Sequence, residues 1–256
     1  MKLAFFIGTT NAYFDSNVNM VSLEAINNGI SAEDIYIVSS QEESNQSTSI
    51  NNCKVYKITY TGRHLSPYIY ISENLNMFSK YTHFCVLPCT VRLGKQFYSK
   101  LKTQLDKLQV RIDCMPFNTS ARGIKSMDMG IMSHYWLHHI SNYLSMMKRS
   151  SYPPDDLKEY WKQLKIDEDL IFGKPNDRHD YTKFRKIVQP VPLLIHEGIT
   201  HYTMLSRRQL SQGGELLLET YNPLIDLYKY QRNYSWKGKH YPPTKSTTRN
   251  GDISKC

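Results

Sequence analysis

The residues whose types and spacing could do chemistry are a few histidines, two thiols and one basic, aromatic run. His196 and His201 flank Glu197 in HEGITH. A zinc-binding helix needs its two histidines four apart, on one face. Five apart, they would be turned about 140° from each other on a helix, and the preceding VPLLI reads as strand. His134 and His138 do have the four-residue spacing. The apolar stripe of their helix runs through Trp136 and Ile140, however, so the histidines belong to its polar face. Cys85 and Cys89 would share one side of a continuous strand, but Pro88 interrupts it, and they read as buried thiols rather than ligands. Residues 228–237, YKYQRNYSWK, interleave aromatic and basic side chains, a pattern that could stack bases and pair phosphates. The plainer reading is an amphipathic helix anchored by its aromatics. The chain has no GxGxxG, no P-loop and no GxSxG elbow.

The elements that would position such residues alternate through the first hundred positions. LAFFIG at 3–8 is a short apolar run without helical period and reads as a buried strand. A helix over 17–28 ends at Asn28-Gly29, a good stop signal. IYIV at 35–38 is a second strand, parallel to the first as a strand–helix–strand unit requires. Residues 40–52, rich in Ser, Asn and Gln, read as loop. VYKITY at 55–60 is a third strand, and a helix over 67–78 carries Tyr68, Ile71, Leu75 and Phe78 on one face. HFCVL at 83–87 is a fourth strand, and a helix over 95–108 places Phe97, Leu101, Leu105 and Leu108 in a stripe. Such alternation predicts an α/β fold, a mostly parallel central sheet with helices on both faces.

The C-terminal half is less regular. Helices are predicted over 132–147 and 155–165, and a strand at 191–198. ELLLETY at 215–221 forms a further element and DLYKYQRNY at 226–234 a terminal helix. Residues 1–236 are expected to form one domain, with a ligand-binding half to about 110 and a second half over 111–236. Residues 237–256, Lys-, Thr- and Pro-rich, are expected to be a disordered basic tail.

Composition narrows the classes of function. In 256 residues, Tyr 19, Phe 9 and Trp 3 supply ample core material, so a disordered chain is excluded. The longest apolar stretches run about six residues, against the roughly 20 of a spanning helix, so no transmembrane segment is predicted. Lys+Arg 32 against Asp+Glu 23 gives a net charge of +9 and favours anionic partners. Five scattered cysteines without a CxxC indicate neither a disulfide framework nor a zinc knuckle, and a cytoplasmic location fits them best.

Four stretches carry a family resemblance. LAFFIGTTN at 3–11 resembles the first strand and nucleotide-facing loop of GT-A-type glycosyltransferases, in particular the small glycosyltransferase-like proteins of bacterial and viral glycan clusters. GISAEDIYIVSS at 29–40 resembles their second strand. THFCVLPCTVRLGKQFYSKL at 82–101 is similar to the fourth strand and the short acidic motif after it. SMDMGIMSHYWL at 126–137 resembles the acceptor-side segment that leads into a helix. The likeness covers residues 1–147 as a layout. It implies a GT-A/Rossmann-like fold, a nucleotide-sugar donor, and transfer of its sugar to a glycan or other hydroxyl acceptor.

That family usually holds Mg or Mn through the acidic motif, where hard carboxylate oxygens suit a hard cation. Here the matching place reads Pro88-Cys89-Thr90, and no Asp or Glu lies between Glu73 and Asp106. The sequence therefore assigns no metal and no other cofactor. Arg or Lys can neutralise a leaving diphosphate instead. Arg92 and Lys95 after the motif, and Arg122 and Lys125 around Gly123, are the candidates.

The resemblance further implies that Thr9, Asn11 and Tyr13 face the nucleotide, together with Cys89 and Thr90. An inverting transfer needs a carboxylate base. Asp128 is the first candidate, Glu197 beside His196 the second, and the Asp167-Glu168-Asp169 run the last. Two rivals accompany this reading: a catalytically inactive glycosyltransferase-like nucleotide- or sugar-binding protein, and a basic nucleic-acid-binding protein, the latter disfavoured. The sequence leaves the sugar, the acceptor, the stereochemistry and the oligomeric state open.

Overall fold

A computed structural model describes residues 1–11, 14–107, 112–119, 125–149, 209–211, 215–232, 235–236 and 239–240. The predicted helix at 155–165, the predicted strand at 191–198 and the acidic run at 167–169 lie outside these residues.

The first half follows the predicted alternation. Strand β1 (Leu3–Thr10) leads into helix α1 (Phe14–Asn27), then β2 (Ile35–Ser40), β3 (Gln46–Ile50), β4 (Cys53–Lys57), α2 (Ser66–Glu73), β5 (His83–Pro88), β6 (Val91–Leu93) and α3 (Phe97–Asp106). After these come β7 (Cys114–Thr119), β8 (Lys125–Ser133), α4 (His134–Ser145), β9 (Gln209–Ser211), β10 (Glu215–Asn222) and β11 (Leu227–Arg232). Two short strands, β12 (Ser235–Trp236) and β13 (Lys239–His240), pair with each other, so the stretch read as tail contributes one of them.

The main sheet has seven strands in the order β3-β4-β2-β1-β5-β8-β7. Its four central strands, β4, β2, β1 and β5, are parallel. The outer pairs on both sides are antiparallel. The expected class holds, an α/β fold with a largely parallel central sheet.

Alternation along the strands accounts for the layers, because successive side chains point to opposite faces. Phe6, Tyr36, Val38, Tyr56, Phe84, Val86 and Met132 face one side, where Tyr68, Ile69 and Ile71 of α2 and Trp136, Leu137, Ile140 and Leu144 of α4 cover them. Phe5, Ile7, Ile35, Ile37, Val55, Cys85, Leu87 and Ile131 face the other, under Val18, Val21 and Ala25 of α1 and Phe97 and Leu101 of α3. Helices thus lie on both faces, and the side chains beneath them are buried.

Local chemistry fixes the boundaries. Helix α1 ends in a Schellman motif: Gly29 adopts φ 88°, its N–H donates to Ile26 O at 2.8 Å, and the Ile30 N–H donates to Ala25 O at 3.2 Å. Helix α4 begins later than the stripe alone predicts, because the Ser133 hydroxyl caps it by accepting from the Trp136 N–H at 3.0 Å. The same hydroxyl donates to buried Asp113 at 2.8 Å. His134, at half burial, lies 3.4 Å from Leu75 O, and His138 is exposed, as a polar-face reading requires.

Two assignments are corrected. The 40–52 loop contains β3, an edge strand paired antiparallel with β4. Asn51 and Asn52, at φ 51° and 63°, form its two-residue hairpin turn. Gln46–Ser49 are exposed, so no apolar alternation announced the strand. The terminal helix is also absent: β11 pairs with β10 on one side and β6 on the other. The Asn222-Pro223 turn and Asp226, at φ 53°, close a hairpin, and tertiary pairing overrides the helical reading.

Strands β6, β11, β10 and β9 form a second, antiparallel sheet. It packs on the α1/α3 face, where Val91, Leu93, Ile225 and Leu227 join the same buried cluster.

Candidate functional site

The order of the parallel strands reverses beside β1. From β1 the chain crosses through α1 to β2 on one side. From β4 it returns through α2, on the opposite face, to β5 on the other side of β1. Ligands of open α/β sheets bind in the crevice outside the carboxyl ends of two strands at such a switch point. The residues there are Thr9, Thr10 and Asn11 after β1, and Pro88, Cys89 and Thr90 after β5. Gly8 pairs with Pro88, and the Cys89 N–H donates to Gly8 O at 2.8 Å. The two stretches singled out by the sequence therefore adjoin.

Their side chains divide into floor and rim. Thr9 and Cys89 are each 7% exposed and form the floor. Ser40 supports it by donating to Thr9 O at 3.1 Å. Thr10, Pro88 and Thr90 are half-buried and Asn11 is exposed, so these form the rim. Gly8 admits nothing larger: a Cβ would stand 2.6 Å from Pro67 Cγ, at the start of α2. On the β2/β4 side, Ser39 donates to Glu42, and Glu42 pairs with Lys57 at 3.8 Å.

The predicted cations separate. Arg92 is not at the rim. Strand β6 turns back along α1, and the Arg92 guanidinium is engaged by Glu24. The same carboxylate accepts from the Leu93 N–H at 2.8 Å. Glu24 lies about 15 Å along the helix axis from the first residue of α1, well away from the carboxyl edge. Lys95 is exposed in the next turn, Gly94–Gln96, which Asp226 holds by accepting from the Gln96 N–H at 3.0 Å. Neither cation joins Thr9 and Thr90. The carboxyl-edge placement of 88–95 is corrected to 88–90, because β6 doubles back to pair with β11 and meet Glu24, contacts that no local pattern encodes.

A cation the sequence did not assign does reach Thr90. Lys229 of β11 donates from Nζ to Thr90 Oγ1 at 3.3 Å. Its backbone is registered with Val91. The signal was present in the basic, aromatic run, but the helical reading concealed where it leads.

The backbones of Lys125 and Asp128 lie on β8, which enters the sheet at this edge and runs antiparallel to β5, Gly130 opposite Val86. Between Ser126 and Gly130, β8 carries more residues than β7 opposes, a bulge. Bulges of this kind re-aim side chains and are frequent beside active sites. Tyr13, Arg122, His196 and Glu197 lie outside the described residues.

No family profile matches the chain, and no curated protein sequence matches it. One solved structure with a similar layout is that of a glycosyltransferase involved in the glycosylation of the major capsid of PBCV-1, at 13% identity and a TM-score of 0.42, covering 75% of this chain and 82% of that one. Likeness at this level assigns no residue a role.

Among the described residues, no group of three or more His, Cys, Asp or Glu is arranged to hold a metal ion. Pro88-Cys89-Thr90 offers one buried thiol and one hydroxyl, poor donors for Mg or Mn. Burial drives the Cys85 thiol below them far above its ordinary value of 9.0, so it stays protonated. No helix among the described residues is long and apolar enough to cross a membrane.

Proposed function

We propose that this chain is a glycosyltransferase which binds a nucleotide-sugar donor at the β1/β5 switch point and passes the sugar to a glycan or other hydroxyl acceptor. The observation that carries the proposal is the junction of Thr9–Asn11 with Pro88–Thr90 at the reversal of strand order. Asn11, Thr10 and Tyr13 would face the nucleotide. Thr90 would face the diphosphate, with Arg122 and Lys125 as further cations from the β7–β8 side. Thr9 and Cys89 support the floor.

In the transfer, the bond between the sugar's anomeric carbon and the diphosphate oxygen breaks, and its electron pair stays on the diphosphate. The acceptor oxygen bonds to that carbon and gives up its proton. In an inverting reaction a carboxylate takes the proton, and Asp128, on the bulged start of β8, is the residue proposed for it. Glu197, with His196, is the second candidate. The described cysteines, all buried, suit a cytoplasmic protein.

A second reading is favoured by one observation: the place of the acidic motif holds no carboxylate. The same site would then bind nucleotide or sugar without transfer. Nucleic-acid binding finds less support, because Tyr228 and Lys229 are half-buried in a sheet.

A thermal-stability panel of nucleoside diphosphates and nucleotide sugars, with EDTA or with manganese, tests the proposal. Saturation at a hundredfold over Kd adds about 2.7 kcal/mol, or a Tm rise of several degrees. A rise in EDTA supports metal-independent binding. No rise with any ligand in either buffer refutes the site. If ligand binds, Asp128→Asn should abolish transfer while leaving the Tm rise intact; full activity would remove Asp128 from its role.

A further inference from the structure

We propose that Lys229 is the phosphate-binding cation of this site, brought to it by the second sheet. The inference rests on the nucleotide-sugar reading above and adds the group that neutralises the diphosphate. Three observations converge. Thr90 is the second residue after β5 at the switch point, where a diphosphate would lie. Lys229 Nζ sits 3.3 Å from Thr90 Oγ1, and the lysine is half-buried, so its charge is less screened than a surface lysine's. Its backbone is held by strand pairing: Leu227, Tyr228 and Lys229 are registered with Leu93, Arg92 and Val91.

The β6–β11 ladder also explains why the neighbouring cation does not serve. Tyr228 stands opposite Arg92, and Glu24 engages Arg92 away from the rim. The ladder thus carries two cations, one used to fasten β6 to α1 and one directed at the end of β5. A Lys–Thr pair binds phosphate well: the ammonium supplies charge and up to three donors, and the threonine hydroxyl can donate to a second oxygen.

The decisive experiment is calorimetric titration of the full chain with a nucleoside diphosphate and with the corresponding nucleoside, both in EDTA. Lys229→Gln should weaken the diphosphate about tenfold to a hundredfold, as loss of a hydrogen bond to a charged group does, and leave the nucleoside unchanged. Lys229→Arg should restore most of the affinity. Lys102→Gln, which removes the same charge from the exposed surface of α3, should change neither ligand.

Equal weakening of nucleoside and diphosphate would make Lys229 a structural residue and overturn the inference. Unchanged diphosphate affinity in Lys229→Gln would overturn it too, with the nucleotide site intact. No binding by the wild-type chain would instead defeat the underlying reading. Should Lys229→Gln fold poorly, amine acetylation of the wild-type protein decides. Saturating diphosphate should protect Lys229 at least several-fold over Lys102, and equal labelling would contradict the proposal.

Discussion

The two faces of the seven-stranded sheet are built differently. The α2/α4 face is aromatic. Phe6 stacks on Tyr36 at 4.9 Å and meets Phe78 edge-on at 5.1 Å, while Phe84 lies edge-on to Phe6 at 5.8 Å. Tyr36 and Tyr81 join their hydroxyls at 3.0 Å. The α1/α3 face is richer in aliphatic side chains and thiols, with a smaller aromatic group in which Phe5 meets Phe97 edge-on at 6.4 Å, and part of its cover comes from Ile225 and Leu227, far along the chain. The first face is a sealed core closed by helices. The second is completed by a sheet that also delivers Lys229. On the proposed reading, the first face serves stability alone, whereas the second also positions the rim.

That contrast is open to test. Trp136→Ala should have the largest effect, a loss of about 3–5 kcal/mol in urea unfolding, because its ring is fully buried. Diphosphate affinity of the folded fraction should not change. Leu227→Ala, at 1% exposure, should cost about 2–5 kcal/mol, and here affinity should fall as well, because β11 loses its seat. If both variants affect affinity alike, the division between the faces is wrong.

Smaller effects sharpen the picture. Glu24→Gln should cost about 1 kcal/mol, since its partner Arg92 is partly exposed, with no effect on diphosphate binding. A large loss of affinity with stability intact would return Arg92 to the site. Burial raises the Cys53 thiol from 9.0 to about 11. The unfolded chain therefore gives up this proton at lower pH than the native one, so stability present below pH 9 is lost as pH rises toward 11. Thiol labelling of Cys53 at pH 8 should accordingly be slow in the native protein and fast in urea. His138→Ala, on the exposed side of α4, should shift stability by less than about 0.5 kcal/mol, with or without zinc.

Much of the first half was legible because its strands are short apolar runs and its helices carry stripes and stops. Asn28-Gly29 marked the end of α1, and Pro88 the end of β5. The junction of residues 9–11 with 88–90 followed from that alternation. The remainder was hidden for physical reasons. An exposed edge strand such as β3 buries almost nothing, so its composition looks like loop. The direction of β6 depends on a carboxylate at Glu24 and a partner strand more than a hundred residues away, and no local pattern encodes such a contact. For Lys229 the residue types were visible in the sequence, but the period-two alternation of LYKYQR was outweighed by a helical reading.

The central claim is that an anionic nucleotide ligand binds where β1 and β5 end. Backbone hydrogen exchange with and without a stabilising nucleoside diphosphate tests it most directly. The account predicts that added protection concentrates on residues 8–11 and 88–91, with a second, weaker footprint around Lys229. Protection confined to the exposed face of α4 or the outer edge at β3, with those segments unchanged, would contradict it.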